Sequence, residues 1–459
     1  MNELLGAPEK SLEELVRAHM QAGGTMPLIL SDQRFEGPQR LRGMTLPFGL
    51  DLQNTVFAAG LEVYECVFEK DLNASDTDFG GARADFSDSV FKALAVFRPR
   101  NASLLSLRSS ILHNGFEVAV PRDHAMALDL RYVRIQGAAT VKPMDYGQAG
   151  YQGAVVMSSI EASELTITKE SSLELAGFST TKLHLGEIVL QDKSSIYISD
   201  VQPKELYFND IQQVDKANVA FNRVALAQAR FSGSNVERYA FSNVNWPMQG
   251  QRASLMEESE WRAGHWFGRE ASGAELANAA EQITENYRQL VLNFESKRNY
   301  ELAESFHTSE MEMLRHRAGN AWPERLGSVR FHLNAYGLYR ALSGYGADYL
   351  RAARVLIMLL AIFSGAFMLT GIHQRNGGSF EYDLVFSDEH PPVTLGVVAT
   401  DATRAFALTL SIVTLQKDRL FDPQGLAGTF LTSLLLLLAP AQAALLLFAL
   451  RRRFRRASI

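Results

Sequence analysis

Three residues on one predicted helix have the types and spacing of metal ligands. Glu304, His307 and Glu310 follow one another at intervals of three, which places two carboxylates and an imidazole on one helix face. Such a set binds a transition metal when a fourth ligand arrives from elsewhere in the fold. The alternative is a solvated face with local charge pairs, and it is favoured because no second cluster of His or Asp is visible. We therefore expect neither a metal site nor a cofactor.

Residue patterns typical of enzymes are also missing from the sequence. The ten histidines are scattered, and no Ser/His/Asp order, phosphate-binding glycine loop or pair of carboxylates in an evident cleft stands out. The single cysteine, Cys66, permits neither an intrachain disulfide nor a zinc site built on cysteines. We expect no catalytic residues, and we expect that the protein is not an enzyme.

Four residues near the C-terminus combine a polar or helix-bending character with apolar surroundings. Thr414 and Lys417 end one apolar stretch, and Pro440 and Gln442 interrupt another. Proline kinks a helix, and lipid cannot satisfy the hydrogen bonds of an amide. These residues are expected to line a pore or to hold helices together. For Gln442 the second role is favoured, because amides commonly form such bonds between helices.

Two apolar runs, residues 352–372 and 426–450, are long enough to be transmembrane helices. Basic residues flank them at one end each: Arg351 and Arg354 before the first, and Arg451, Arg452, Arg453, Arg455 and Arg456 in the tail 451–459 after the second. Short basic flanks remain on the cytoplasmic side, which predicts a cytoplasmic C-terminus. The acidic residues Glu381, Asp383, Asp388 and Glu389 are then outside. The N-terminus does not resemble a signal peptide, so it is also expected in the cytoplasm.

The segment between these runs, residues 373–425, contains a shorter apolar stretch. Ala405 to Leu415 has half the length of a transmembrane helix and Asp401 is available as an N-cap, which predicts a re-entrant helix near 401–415. A third full span would bury Asp401 and Arg404 and move one arginine cluster outside. No glycine-bearing carbonyl filter follows the stretch, and Lys417 and Arg419 would repel a cation. Potassium selectivity is therefore not expected.

Large apolar side chains recur in the N-terminal half at intervals that suit a solenoid. Phe86, Phe91 and Phe97 follow one another at five or six residues and are predicted to be core residues. Short apolar-ended triplets such as Leu183-His184-Leu185 recur every 20 to 23 residues, the length of one coil. These patterns predict a β-solenoid over residues 46–245 behind a helical cap at 1–45. An antiparallel sandwich is the alternative.

Residues 246–351 are predicted to form a helical connector. Trp246 and Pro247 end the strand region, since proline cannot continue a central strand and a tryptophan can cover the open end of a core. Apolar residues then repeat at three and four between Leu276 and Phe294, as on one face of a helix.

Two segments carry a resemblance to known families. The stretch containing Phe86, Phe91 and Phe97 resembles the bacterial pentapeptide-repeat proteins. Tyr287-Arg288-Gln289-Leu290, Asn299-Tyr300-Glu301-Leu302-Ala303-Glu304 and Tyr339-Arg340-Ala341-Leu342-Ser343-Gly344-Tyr345-Gly346 are similar to the connector of pentapeptide-repeat membrane proteins with an ion-channel-like C-terminal domain. This resemblance covers roughly residues 240–456. It implies a mixed β and α fold with a right-handed β-helix, a helical connector and a two-span membrane domain in the bacterial inner membrane.

Charge and hydropathy narrow the functional classes. A net charge of -6 and a pI near 6.0 argue against nucleic-acid binding, and a mean hydropathy near zero indicates a small membrane part. The preferred hypothesis is a membrane-tethered cytoplasmic solenoid that acts as an interaction or sensing scaffold. Its partners would be the lipid bilayer, an unidentified cytoplasmic protein and further copies of itself as a homo-oligomer. The alternative is an oligomeric ion channel of non-potassium or unknown selectivity, gated by the cytoplasmic domain.

Overall fold

The computed structural model describes residues 10–122, 124–143, 155–214, 216–321, 324–374, 395–417 and 419–457. The chain forms two compact units, Met1–Ser309 and Glu310–Ile459. The fold is mixed β and α: a parallel β-solenoid of about nine turns over residues 28–242, followed by helices that include two apolar ones near the C-terminus.

Helix α1, Leu12–Gln21, precedes the solenoid. The Ser11 hydroxyl accepts a hydrogen bond from the Glu14 amide, and the Glu14 carboxylate accepts one from the Ser11 amide, which forms a capping box. The buried side chains of Leu12 and Val16 face the protein interior. The Leu12 amide also donates to the Gln39 side chain at 2.7 Å, which joins α1 to an early strand of the solenoid.

Three long parallel sheets form the walls of the solenoid. The first sheet has 12 strands: Leu28–Ile29, Arg34–Phe35, Leu50–Asp51, Val56–Phe57, Leu72–Asp78, Ala95–Asn101, Phe116–Ala119, Ala138–Lys142, Ser172–Ala176, Ser195–Ser199, Asn218–Asn222 and Ala240–Ser242. The second has nine: Gln39–Arg42, Leu61–Tyr64, Arg83–Asp85, Leu104–Ser106, Ala127–Asp129, Val155–Ser163, Phe178–Gly186, Gln202–Asn209 and Ala229–Arg230. The third has eight: Thr45–Leu46, Val67–Phe68, Val90–Phe91, Ile111–Leu112, Arg134–Ile135, Thr166–Ile167, Val189–Leu190 and Gln212–Gln213.

The strand register sets the length of each coil. Val67 pairs with Val90, 23 residues later, and Thr166 pairs with Val189 at the same interval. Every pairing within these three sheets is parallel, so the predicted solenoid is confirmed and the alternative of an antiparallel sandwich is wrong. Strands of two or three residues are stable here because each shares its hydrogen-bond ladder with the coils before and after it.

One corner of the coil repeatedly uses a left-handed backbone. Between the second and third sheets, the corner residue of successive turns has a φ of 52 to 62° and is not glycine. These residues are Glu65, Asp88, Ser109, Tyr132, Glu164, Glu187 and Asp210. Gly43 and Gly233 hold the same position in the turns at the two ends, with φ values of 65° and 75°. A non-glycine residue in this conformation costs about 1 kcal/mol, which the stacked ladders must offset.

Aromatic side chains fill much of the solenoid core. Phe86, Phe91 and Phe97 are each at most 1% exposed. The Phe91 ring stacks on Phe68 of the preceding turn with 4.8 Å between centroids, and the Phe86 ring meets Phe97 edge to face at 5.0 Å. The structure therefore places these three side chains together inside the coil.

Helices and short hairpins follow the last coil. The hairpins pair Met248–Gln249 with Arg252–Ala253 and His265–Trp266 with Arg269–Glu270. The helices are a 3₁₀ turn at Val236–Arg238, α2 at Met256–Arg262, α3 at Gly273–Ser296 and α4 at Tyr300–Asn320. Trp246 lies among aromatic rings from three elements, with centroid distances of 5.0 Å to Phe241, 6.2 Å to Phe294 and 4.9 Å to Phe306. These rings extend the core of the last coil into the helices.

Helix α2 buries three carboxylates. Glu258 accepts hydrogen bonds from Arg252, Arg262 and the Tyr287 hydroxyl, each at 2.6 Å, and Glu260 pairs with Arg230. Glu257 is fully buried, accepts from the Phe231 amide, and has one oxygen without a partner among the described residues. Burial raises the pKa of Glu257 to about 7, against the opposing effect of the amide. The pKa of Glu258 is lowered, because its arginine and tyrosine partners outweigh its burial.

The second unit is helical. After a 3₁₀ segment at Glu324–Val329 come α5 at Arg330–Leu333, α6 at Ala335–Ser343, α7 at Tyr349–Thr370, α8 at Leu395–Val413 and α9 at Gly425–Ala457. A short hairpin pairs Ile372–Gln374 with Phe421–Pro423. Among the described residues, two helical segments are long and apolar enough to cross a membrane, Tyr349–Thr370 and Gly425–Arg452. The hairpin joins the end of α7 to the start of α9, so these two helices run antiparallel.

Candidate functional site

The apolar core of the second unit is shared by α7, α8 and α9. Phe363 and Phe367 of α7, Leu408 and Ile412 of α8, and Leu435 of α9 belong to one buried cluster. One polar contact lies within this region: the Ser364 hydroxyl donates to the Thr409 hydroxyl at 3.0 Å, and both side chains are buried. The contact is near the middle of α7, so α8 packs along the central part of that helix.

Gln442 joins α9 to the other two cytoplasm-proximal elements of the predicted membrane module, α6 and the first turn of α7. Its side-chain nitrogen donates to the Leu342 carbonyl at 3.0 Å and to the Ala352 carbonyl at 2.9 Å, and the residue is 3% exposed. Gln442 therefore lies level with the start of α7. The rest of α9, up to Ala457, extends beyond that level alongside the turn after α6, where Gly346 approaches the Phe448 ring.

A cluster of charged and phenolic groups surrounds the turn between α6 and α7. The Glu312 carboxylate receives Arg315 at 2.8 Å, Arg340 at 3.1 Å and the Tyr345 hydroxyl at 3.0 Å. Burial alone would raise the pKa of Glu312, but the hydrogen bonds and charge of Arg315, with Arg340, lower it below its ordinary value. Glu312 is therefore a carboxylate at neutral pH. We call Glu312, Arg315, Arg340 and Tyr345 the juxtamembrane cluster.

The juxtamembrane cluster connects α4 with the end of α9. Tyr345 is 1% exposed, and burial together with the Glu312 charge raises the pKa of its phenol well above the ordinary value. Its hydroxyl therefore remains a donor. The Tyr345 carbonyl accepts a hydrogen bond from Arg452 at 3.5 Å. A change in the position of α4 would therefore be felt at Tyr345, and from there at the basic end of α9.

The four predicted pore or packing residues have different surroundings. Thr414 is exposed and its hydroxyl donates to the Leu410 carbonyl at 2.8 Å, one turn back along α8. Lys417 is exposed beyond the end of α8, and Pro440 is exposed on α9. Gln442 alone is buried. The hydrogen bonds of Gln442 are helix-packing contacts, whereas the other three side chains face outward.

Helix α8 differs from its predicted form. It begins at Leu395 and has 19 residues, so Asp401 lies inside it and the expected N-cap role of Asp401 is wrong. The stretch Leu395 to Thr400 contains no proline and continues the apolar face of Ala405 and Leu408 backward, which extends the helix past Asp401. The Asp401 carboxylate is buried and lies 3.7 Å from the Arg404 guanidinium, one turn along the same helix. The expected half-length is therefore also wrong.

The predicted orientation residues lie at matching ends of α7 and α9. Arg351 and Arg354 are in the first two turns of α7, and Arg451 and Arg452 are in the last turns of α9, which continues through Arg453, Arg455 and Arg456. The predicted external residues Glu381, Asp383, Asp388 and Glu389 lie outside the described residues.

Metal ligation was weighed for α4. Glu304 and His307 are half-buried and Glu310 is buried on that helix. In the part of the chain that the structure describes, no group of three or more His, Cys, Asp or Glu side chains is arranged to hold a metal ion.

The second sheet of the solenoid presents an outward row of polar residues, one from each turn, which we call the polar ladder. It consists of Arg40, Glu62, Asp85, Ser106, Asp129, Glu161, His184, Tyr207 and Arg230. Glu161 contacts Lys182 at 2.8 Å and His184 at 3.0 Å, and these bonds lower its pKa despite its partial burial. The Arg230 guanidinium lies 4.5 Å from the centre of the Tyr207 ring.

Sequence reasoning missed both the juxtamembrane cluster and the polar ladder. Glu312 and Tyr345 are 33 residues apart, and only the fold brings them together. The ladder had a detectable signal: polar residues at intervals of 21 to 23 between the apolar triplets, such as Glu161, His184 and Tyr207.

Comparison with known proteins yields no relative. No protein-family model matches the chain, and neither a curated protein nor a solved structure matches it.

Proposed function

We propose that this protein is an interaction scaffold, in which a cytoplasmic β-solenoid is tethered to the bacterial inner membrane by α7 and α9. The polar ladder carries the proposal. A row of nine polar residues, one per turn, forms a long and flat surface of mixed charge, and solenoids use such surfaces to bind protein partners. The partner class that fits is a protein with complementary acidic and basic side chains.

The repeat type that best fits the solenoid is a pentapeptide-like one. The five-residue interval between Phe86 and Phe91, both pointing into the core, supports this assignment. The coil of about 23 residues is longer than four units of five, so the repeat would be a loose variant.

The direction of tethering follows from the arginines. Arg351 and Arg354 lie at the same end of the antiparallel helix pair as Arg451 and Arg452, and basic flanks stay on the cytoplasmic side. Both ends of the second unit would then be cytoplasmic, with the hairpin at Phe421–Pro423 outside.

Cysteine labelling tests this topology. Replacing the buried Cys66 with serine gives a background without cysteine, into which Leu420→Cys or Tyr197→Cys is introduced, both at exposed positions. A membrane-impermeant maleimide applied to spheroplasts should label Leu420→Cys at once and Tyr197→Cys only after lysis. The opposite pattern would overturn the proposed orientation.

Photocrosslinking tests the scaffold. A photoreactive residue in place of Tyr207, on the polar ladder, should give a heteromeric adduct of defined mass in cells. The same residue in place of Val189, on the third sheet, is the matched control and should not. Equal adducts at both positions, or none at Tyr207, would contradict the proposal that the ladder is the binding surface.

An oligomeric ion channel is a second candidate, favoured by one observation. Helix α8 packs against α7 between the two apolar helices and buries the Asp401 carboxylate, a charge that is costly to keep near lipid. A channel would need several copies around a symmetry axis, because two spans cannot enclose a pore. Ion flux into liposomes that is altered by Asp401→Asn would support this candidate, and a strict monomer in nanodiscs would exclude it.

A further inference from the structure

A groove lies between α6 and the first turns of α7. Its volume is about 320 Å³, and it is lined by Ala341, Arg351, Arg354, Val355 and Met358. Two arginines and three apolar residues therefore share one open surface, at the end of α7 that the tethering proposal places at the cytoplasmic face of the membrane.

The two arginines of the groove are only partly compensated. Arg351 lies 3.6 Å from Asp348 and donates to the Arg340 carbonyl at 3.2 Å. Arg354 donates to the Leu350 carbonyl at 3.2 Å, and no described carboxylate forms an ion pair with it. One carboxylate, Asp348, therefore serves two guanidinium groups.

Their place on α7 increases the demand for negative charge. Both arginines are in the first two turns, where the helix dipole is positive and cations are destabilised. The N-cap Asp348 offsets part of this effect, since its carboxylate accepts from the Arg351 amide at 2.9 Å. A phosphate between the two guanidinium groups would offset the remainder.

The apolar lining continues toward the membrane interior. Met358 is 56% exposed, and Ile362, one turn further along α7, is 60% exposed. Val355, Met358 and Ile362 thus form a stripe that starts beside the arginines and follows α7. A hydrocarbon chain extending from a phosphate at the arginines would lie against this stripe.

We propose that the groove binds one anionic phospholipid, with its phosphate between Arg351 and Arg354 and an acyl chain along Val355 and Met358. Guanidinium groups recognise phosphate with paired hydrogen bonds, and a free phosphate ion would leave the apolar lining uncovered. This inference rests on the proposed membrane tether, because it requires α7 to lie in a bilayer.

Native mass spectrometry of the full chain, released from nanodiscs containing equal amounts of phosphatidylglycerol and phosphatidylcholine, tests the site. The wild-type protein should retain one phosphatidylglycerol in preference to phosphatidylcholine. Arg351→Gln and Arg354→Gln should each lower this retention about fivefold, because each basic side chain near an anionic bilayer contributes about that factor. Arg451→Gln removes the same charge at the same end of the helix pair outside the groove and should leave retention unchanged.

Four outcomes decide the matter. Equal retention of both lipids, or an equal loss in Arg451→Gln and Arg354→Gln, would overturn the specific site. Thermal stabilisation of the detergent-solubilised protein by inorganic phosphate alone, as large as that by phosphatidylglycerol, would overturn the lipid as ligand. Carbonate extraction separates this inference from the tether: wild-type protein that stays in the membrane but retains no lipid refutes the groove alone, whereas protein that is extracted refutes the tether itself.

Discussion

Replacing Glu257 with glutamine should remove a pH dependence of folding that a single carboxyl imposes. Glu257 lies fully buried on α2, where burial raises its pKa from 4.5 to about 7. Between these pH values the folded protein holds a proton that the unfolded chain has already lost. Raising the pH through this window therefore favours unfolding, and stability that is present below pH 4.5 is lost by about pH 7.

The magnitude follows from the size of the pKa shift. A displacement of this size corresponds to about 3 kcal/mol, since each pKa unit is worth about 1.4 kcal/mol. Glutamine resembles the neutral carboxyl and does not titrate. Glu257→Gln should therefore match the wild-type protein at about pH 4.5 and exceed its free energy of unfolding by about 3 kcal/mol at about pH 8.

Tryptophan fluorescence during urea unfolding measures this difference. Trp246, Trp261 and Trp266 lie in and around the helices after the last coil, and Trp322→Phe removes the fourth tryptophan of the chain. The full-length protein in detergent is unfolded at a series of pH values, and the variant is compared with the wild type at each, so that other titrating groups cancel.

The neighbouring Glu258 supplies the control. It is also buried, but its pKa is lowered by its arginine partners, so Glu258→Gln should destabilise the protein at neutral pH by about 3 kcal/mol or more. A difference between Glu257→Gln and wild type that stays constant from pH 4.5 to 8 would refute the reasoning. Destabilisation by both substitutions at about pH 8 would do the same.

Three further predictions concern single contacts. Gly115→Ala should cost about 3 kcal/mol or more, because a Cβ there would lie 1.7 Å from a backbone oxygen, whereas Gly43→Ala, with a similar φ and open space, should cost about 1 kcal/mol; urea titration compares them. Gln442→Leu should lower stability in nanodiscs by about 1 kcal/mol, since it removes two carbonyl contacts made by α9, as read from thermal unfolding. Tyr345→Phe should cost about 2 kcal/mol by removing the hydrogen bond to the Glu312 carboxylate, again by thermal unfolding.

Each of these predictions has an outcome that contradicts it. Equal losses in the two glycine variants would mean that backbone conformation, not space, decides the effect. No loss in Gln442→Leu would mean that the carbonyls of Leu342 and Ala352 find other donors. For Tyr345→Phe the control is Tyr336→Phe, on the preceding helix; an equal effect of both would remove the special role of the juxtamembrane cluster.

The solenoid could be predicted because its core repeats in sequence. Leu183 and Leu185, then Leu206 and Phe208, face inward at the same positions of successive coils, and this periodicity is visible without a structure. The left-handed corners were not predictable in the same way. Positions such as Glu65 and Asp88 carry ordinary side chains, and glycine marks that corner only at the end turns, at Gly43 and Gly233.

The contacts of the second unit were less accessible to sequence reasoning. Gln442 drew attention as an amide in an apolar run, but its acceptors are backbone carbonyls 90 and 100 residues away, which have no sequence signal. The start of α8 was misplaced because Asp401 is a good N-cap type, and the local preference of one residue yields to an apolar face that continues beyond it.

The constant register of the coils makes the solenoid a molecular ruler. Because Thr166 pairs with Val189 in the next turn, removing residues 166–188 would join two equivalent positions and leave every remaining ladder in step. Such a deletion would shorten the solenoid by about 5 Å, the spacing of adjacent strands, without exposing its core. Evolution can therefore change the length of this protein one turn at a time and keep its two ends unaltered.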